Sequence, residues 1–304
     1  MGNHNKTYSV AEDNIPACLG PRHTHAPVTF ALPDGAWDTH FHLFDPLRAP
    51  YAPNRKYTPP PAPIDVYLAL MERLGIGRAM LVHANLQGTD NRPLLEALAQ
   101  GGGRFTGVVC MPEEADAALL REFHRAGVRG IRFAFNPQHG GSFDRAGFRR
   151  AEAWCARMGW FVELHFAADA LPELMLALSA AQCPVVIDHM GRVDLREGTQ
   201  GVHYRLLAEL AGYDHVWIKL SGADRLCGPG TPLSAAVPVA RDLVGIAPHR
   251  MLWGSDWPHT GVFRDMPDDG DLLNLMKDFV PDRVTRDRIL ADNPLRLIGE
   301  RSGP

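Results

Sequence analysis

The chain has 304 residues, 45% of them hydrophobic and 22% charged, with a formal net charge of −4. The composition is ordinary for a globular protein, and the length suits two small domains or one large α/β barrel. Acids and bases are interspersed without a basic stripe, which argues against a nucleic-acid partner, and no stretch is long and apolar enough to span a bilayer.

Five cysteines (Cys18, Cys110, Cys155, Cys183 and Cys227) are scattered with no CxxC. An odd, dispersed set points to reduced thiols in a cytoplasmic protein and not to a disulfide framework. The start of the chain leads into no apolar signal core, and Lys6 stands where a myristoylation motif wants Ser or Thr.

Residues 1–33 are polar and carry Pro16, Pro21, Pro27 and Pro33, which predicts an N-terminal arm ahead of a body at 34–304. His23 and His25 lie in this arm with no apolar strand around them and read as surface residues. Residues 38–44 form an apolar run with His40 and His42 one residue apart. In a strand they share a face with Asp38, while Trp37, Phe41 and Leu43 face the other way. A lone His-x-His fits a structural pair near a strand end as well as a metal or acid/base pair. The weight comes from the rest of the chain. Residues 45–63 are too proline-rich for a helix and form a loop carrying Tyr51, placed where a lid or binding loop would sit.

From residue 64 the pattern is regular. Strands are predicted at 78–84, 105–111, 130–135, 161–166, 184–190, 216–221 and 251–257. Helices are predicted between them at 65–74, 91–100, 114–126, 145–158, 168–181, 204–212 and 234–244, and after them at 271–279 and 285–298. Eight strands alternating with helices imply a parallel sheet closed into a (β/α)₈ TIM-type barrel, with an open doubly wound sheet as the alternative. No dinucleotide or P-loop glycine motif is present.

Barrel enzymes keep their active sites at the C-terminal strand ends. There stand His40 and His42, then His83 and Asn85, Arg132 with Asn136 beyond it, Glu163 and His165, and His189 with Arg192. Strand 7 brings Lys219 and Ser221, with Asp224 and Arg225 in the next loop, and strand 8 brings Asp256 and then His259. Six histidines, two aspartates and three arginines on one rim need partners, a metal or a substrate.

The stretches WDTHFHLFDP (37–46), YAPNRKYTPP (51–60), QGTDNRPLLEAL (87–98), GVRGIRFAF (127–135), VVIDHMGR (185–192), KLSGADR (219–225) and MLWGSDWPH (251–259) span nearly the whole body. They resemble the amidohydrolase superfamily, and within it the 2-pyrone-4,6-dicarboxylate lactonase branch. The resemblance implies that Asp256 is the general base for the attacking water, with His40, His42 and His189 around the water and the scissile carbonyl. It implies that Arg132, Arg192 and Arg225 hold substrate carboxylates and that His259 orients the substrate, with His83, Asn85 and Tyr51 as further binding candidates. Two positions depart from that branch: Gln138 replaces a second arginine, and His165 replaces a tyrosine. His165 completes a mononuclear metal set of His40, His42, His165 and Asp256, with His189 as a fifth candidate. Three imidazoles and a carboxylate suit one divalent metal ion, zinc first and manganese second, with a metal-free mechanism still open.

The expected reaction is hydrolysis of a small carboxylated lactone, of pyrone-dicarboxylate or muconolactone type, in aromatic catabolism by a monomer or homodimer. The alternatives are a metal-dependent decarboxylase and a non-catalytic carboxylate-binding barrel.

Overall fold

The computed structural model describes residues 15–53, 55–134, 143–228 and 230–300. Phe135, Asn136 and Gln138 lie outside the described residues. Eight strands follow in order: β1 (Trp37–Phe41), β2 (Arg78–Val82), β3 (Phe105–Val109), β4 (Val128–Ala134), β5 (Phe161–His165), β6 (Val185–Ile187), β7 (Val216–Lys219) and β8 (Met251–Leu252). Each pairs in parallel with the next. The ends close on each other through Thr39 N–H to the Trp253 carbonyl at 2.9 Å, Asp256 N–H to the His40 carbonyl at 2.8 Å and His42 N–H to the Trp257 carbonyl at 2.8 Å. The result is the (β/α)₈ barrel that the alternation predicts.

The principal crossover helices are α1 (Ile64–Leu74), α2 (Arg92–Gln100), α3 (Ala117–Arg125), α4 (Arg145–Met158), α5 (Leu171–Ser179), α6 (Val202–Ala211), the short α7 (Ala223–Leu226) and α8 (Val237–Ile246). α1 shows why these segments pack as they do. Tyr67, Leu70, Met71 and Leu74 recur at helical spacing and are buried, and Gly75 ends the helix at φ 78°. The Asp116 side chain caps the start of α3 by accepting from Ala118 N–H and Leu119 N–H.

Two apolar clusters divide the molecule. The larger lies between strands and helices. The smaller fills the barrel floor with Trp37, Met80, Val82, Val108, Phe161, Val186, Trp217 and Leu252, closed below by Leu297 and Ile298. The side chains alternate along β5, so that Phe161 faces inward at the floor with Glu163 and His165 above it.

Strand β1 departs from the expected alternation. Its register slips between Asp38 and Phe41. Trp37 therefore enters the floor and His40 the chamber above it, while Phe41 faces the helices and stacks on Tyr67 at 3.6 Å. Asp38 does not lie below the histidines but sits in the β1–β8 seam, accepting from His40 N–H, Ser255 N–H, Ser255 Oγ and Tyr67 Oη at 3.0, 2.9, 2.5 and 2.9 Å. Burial pushes its carboxyl up to about 6 against those four hydrogen bonds.

Residues 15–20 lie on the loops at the open end, and residues 25–33 run on along the flank, where the His25 carbonyl accepts from Arg73, Thr29 N–H donates to Asn274 and Phe30 packs under Arg286. Cys18 N–H bonds the Thr58 carbonyl at 3.0 Å and Leu19 N–H bonds the Val262 carbonyl at 2.8 Å. His25, expected on the surface, is buried 3.4 Å from Asp269. Among the described residues no helix is long and apolar enough to cross a membrane.

Candidate active site

Above the apolar floor lies a layer of buried charge. Glu163 on β5 and Lys219 on β7 have no exposed surface and meet at 2.6 Å. Arg132 on β4 lies 3.2 Å from Glu163 Oε1 and 3.6 Å from Asp188 Oδ2, and Lys219 lies 3.3 Å from Asp188 Oδ1. Two cations and two anions at this depth offset each other's desolvation. Burial and the neighbouring Asp188 push Glu163 up to about 7. Burial also opposes charge on Asp188, but Lys219, His40 and Arg132 outweigh it and hold that carboxyl well below its usual range.

On this layer stand the histidines. Asp256 Oδ1 lies 3.6 Å from His40 Nε2, 3.6 Å from His42 Nε2 and 3.7 Å from His189 Nε2. The two Nε2 atoms of His40 and His42 are 3.2 Å apart. Each ring is fixed from behind: His40 Nδ1 by Lys219 at 2.9 Å, His42 Nδ1 by the Val82 carbonyl at 2.7 Å and His189 Nδ1 by Ser221 Oγ at 2.9 Å. Burial holds all three imidazoles below their ordinary range, His189 to about 4, so they are neutral at neutral pH. Burial works against a charged Asp256 as well, but the Arg225 guanidinium keeps it ionised.

The backbone that presents these groups is left-handed. His189, Met190, Gly191 and Arg192 follow one another at φ between 50° and 60°, and Asp256 and His259 sit at 66° and 58°. Non-glycine residues hold this region at a cost of about 1–2 kcal/mol each, and such strain gathers at functional sites. The expected strand at 184–190 is accordingly cut short at Ile187, while β8 ends at Leu252 but residues 253–257 stay bonded to β1 through Trp253, Asp256 and Trp257. With Val186 facing in, a continued strand would face Asp188 in and His189 out. The left-handed turn brings His189 back over the chamber and Arg192 to its rim.

The remaining candidates divide. Arg225 is committed to Asp256 Oδ2 through Nε at 2.9 Å and Nη2 at 2.8 Å, and to the Thr260 carbonyl through Nη1 at 2.8 Å. Arg132 belongs to the buried charge layer. Arg192 makes no ion pair with a carboxylate among the described residues, and its nearest polar neighbour is His165 Nε2 at 3.4 Å. His165 stands with Asp188 and His189, its Nδ1 3.9 Å from Asp188 Oδ2, apart from the Asp256 group. His259 bonds Asp269 at 2.9 Å, and that carboxylate, ahead of Asp224, raises its pKa against the effect of burial. His83 bonds the Gly88 carbonyl at 2.9 Å and is driven by burial to about 4. Asn85 opens the short turn after β2, and Tyr51 packs edge-on against Phe44.

Asp188 and Asp269 escape the sequence reading, which names Asp38 but places it on the histidine face. Asp188 had a usable signal, since it sits two residues after an inward Val186. Asp269 had none, because only folding brings it to His259.

Clusters of His and Asp here could hold a divalent metal: His40, His189 and Asp256 in one group, and His165, Asp188 and His189 in another. The donors fit. Around Asp256, with His42 added to the first group, the Nε2 atoms of His40, His42 and His189 stand 3.6, 3.6 and 3.7 Å from Oδ1 and the first two lie 3.2 Å apart, close to the edge of about 3.4 Å expected for a tetrahedron of zinc ligands.

Comparison with known proteins agrees with this geometry. The amidohydrolase family model matches residues 37–299. The chain is 50% identical to the 4-sulfomuconolactone hydrolase of Rhizobium radiobacter over 94% of its own length and 97% of the relative's. It is 36% identical to the 2-pyrone-4,6-dicarboxylate hydrolase of Comamonas testosteroni, covering 88% of this chain and 91% of that one. A crystal structure from Agrobacterium tumefaciens superposes with a TM-score of 0.81 at 27% identity, over 92% of this chain and 100% of that one.

Proposed function

The chain belongs to the amidohydrolase family, and from that premise we propose that it hydrolyses a small anionic lactone, of sulfomuconolactone or pyrone-dicarboxylate kind, in the breakdown of aromatic compounds. The observation that carries this reading is Asp256. It is an ionised carboxylate with one oxygen gripped by Arg225 and the other facing three neutral imidazoles. That is an arrangement for taking a proton from water, not for binding an anion.

A lactone is a cyclic ester, and attack by water passes through a tetrahedral oxyanion. Asp256 Oδ1 accepts the water proton and returns it to the departing ring oxygen. Arg225 keeps the carboxylate aimed, since both its contacts fall on Oδ2. Arg192, a rim guanidinium with no carboxylate partner among the described residues, binds an acidic substituent of the substrate through its planar fork. His40, His42, His189 and Asp256 would hold a divalent ion, zinc by donor type, with manganese second. Such an ion lowers the pKa of a bound water and polarises a carbonyl. Five free thiols fit a cytoplasmic setting for this chemistry.

The test is direct. Purified chain given 4-sulfomuconolactone or 2-pyrone-4,6-dicarboxylate should open the ring without releasing CO₂. CO₂ release would make it a decarboxylase, and stoichiometric binding without turnover would make it a binding barrel.

A further inference from the structure

Lys219 lies under the histidines and touches no substrate-accessible surface. Its ammonium hydrogen-bonds Glu163 Oε2 at 2.6 Å and His40 Nδ1 at 2.9 Å, with Asp188 Oδ1 at 3.3 Å as a further charge partner. A lysine ammonium can only donate, and a backbone carbonyl can only accept. These two facts set the direction of everything between them. Lys219 donates into His40 Nδ1, so the neutral His40 ring carries its proton on Nε2. At the other end, the Val82 carbonyl accepts from His42 Nδ1 at 2.7 Å, so the neutral His42 ring has its lone pair on Nε2. The two Nε2 atoms are 3.2 Å apart, one a donor and one an acceptor. Taken by itself, the chain Lys219, His40, His42, Val82 carbonyl is satisfied with the His40 proton on Nε2.

Asp188 Oδ1 also approaches His40 Nδ1, at 3.2 Å, and would favour the opposite tautomer. It accepts no hydrogen bond there. Arg132 Nη1 donates to Glu163 Oε1 at 3.2 Å and with its second hydrogen also faces His40 Nε2 at 3.3 Å, so the Nε2–H form leaves that one longer contact unfavourable. The Nδ1–H form would instead set a proton against Lys219 at 2.9 Å and two lone pairs against each other at 3.2 Å.

We propose that Lys219 is a positioning residue that presets His40 as an Nε2–H donor and thereby weakens the binding of a divalent metal at His40 and His42. A metal needs the Nε2 lone pairs of both rings. Loading it forces the His40 proton from Nε2 to Nδ1, facing Asp188, and breaks the bond to Lys219. Carboxylates behind metal-bound histidines ordinarily strengthen the site, and losing them costs about 10–100-fold in affinity. A cation behind His40 acts with the opposite sign. This inference rests on reading His40 and His42 as the metal-facing pair, yet its readouts do not involve lactone turnover.

Two measurements test it. The first uses the metal-stripped wild-type chain: long-range ¹H–¹⁵N spectra, with the His40 signals identified by their loss in His40→Gln. Nε2–H at His40 and Nδ1–H at His42 are expected, and Nδ1–H at His40 overturns the proposal. The second is zinc affinity by chelator competition in wild type and Lys219→Met. We expect at least about tenfold tighter binding in the variant, with His40 moved to the Nδ1–H form. Unchanged or weaker zinc binding in a folded variant overturns the proposal. If the variant does not fold, the wild-type spectrum decides alone.

Discussion

Asp256 and the arginines around it divide their work by which oxygen they touch. Arg225 takes Oδ2 and leaves Oδ1 to the chamber. Asp256→Asn keeps the shape and removes the base, so kcat should fall by about 10²–10⁴ with little change in KM. Steady-state kinetics on a turned-over lactone check this, and an undiminished kcat would discard Asp256 as the base. Arg192→Met should raise KM about ten- to a hundredfold, the loss of a hydrogen bond between charged groups. A KM unmoved by that change would place the substrate anion elsewhere. The histidines and Asp256 were legible because strand ends in a barrel converge and titratable residues there have few bland explanations. The role of Arg225 was not, because a sequence cannot tell a guanidinium held by its own chain from one free for substrate.

At the scale of elements, the strands were legible and their ends were not. Apolar runs mark β6 and β8, but the chain turns left-handed at His189 after β6 and at Asp256 beyond β8, and no hydrophobic period encodes such turns. The bulge in β1 escaped for the same reason, and it reassigns Asp38 from the chamber to the seam. The turn that holds His189 depends on its neighbour across the chamber mouth. Gly222, after β7, has φ 70°, and a Cβ there would lie 2.7 Å from His189 Cβ. Gly222→Ala should push His189 away from Asp256 and lower kcat at least about tenfold, while the left-handed residue costs about 1–2 kcal/mol of stability. Wild-type kcat in that variant would show that the placement of His189 does not matter to the reaction.

For the whole molecule, the alternation of eight strands and helices made the barrel legible, whereas the packing of residues 15–33 against the open-end loops and then the barrel's flank was hidden in a polar, proline-rich segment. The buried charge has a further consequence for stability. In the metal-free chain, five histidines (His40, His42, His83, His165 and His189) have native pKa values lowered by burial. On acidification below about 6.5 the unfolded chain takes up these protons and the native chain refuses them. Asp38 and Glu163, raised to about 6 and about 7, act in the opposite sense, since the native chain holds their protons where the unfolded chain does not. Five groups against two leave the unfolded state with the net excess of protons, so stability should fall as the pH drops from about 6.5 toward 5. Urea unfolding of the chelated protein across that range checks the slope, and stability that is flat or rises on acidification would contradict it.

The central claim is that water held at Asp256 attacks a lactone carbonyl. It is tested most directly by turnover of 4-sulfomuconolactone in ¹⁸O-enriched water, with the product weighed by mass spectrometry. The account predicts one heavy oxygen in the newly formed carboxylate, and no such product from Asp256→Asn. A ring-opened product without heavy oxygen, or a labelled product formed as fast by the variant, would contradict it.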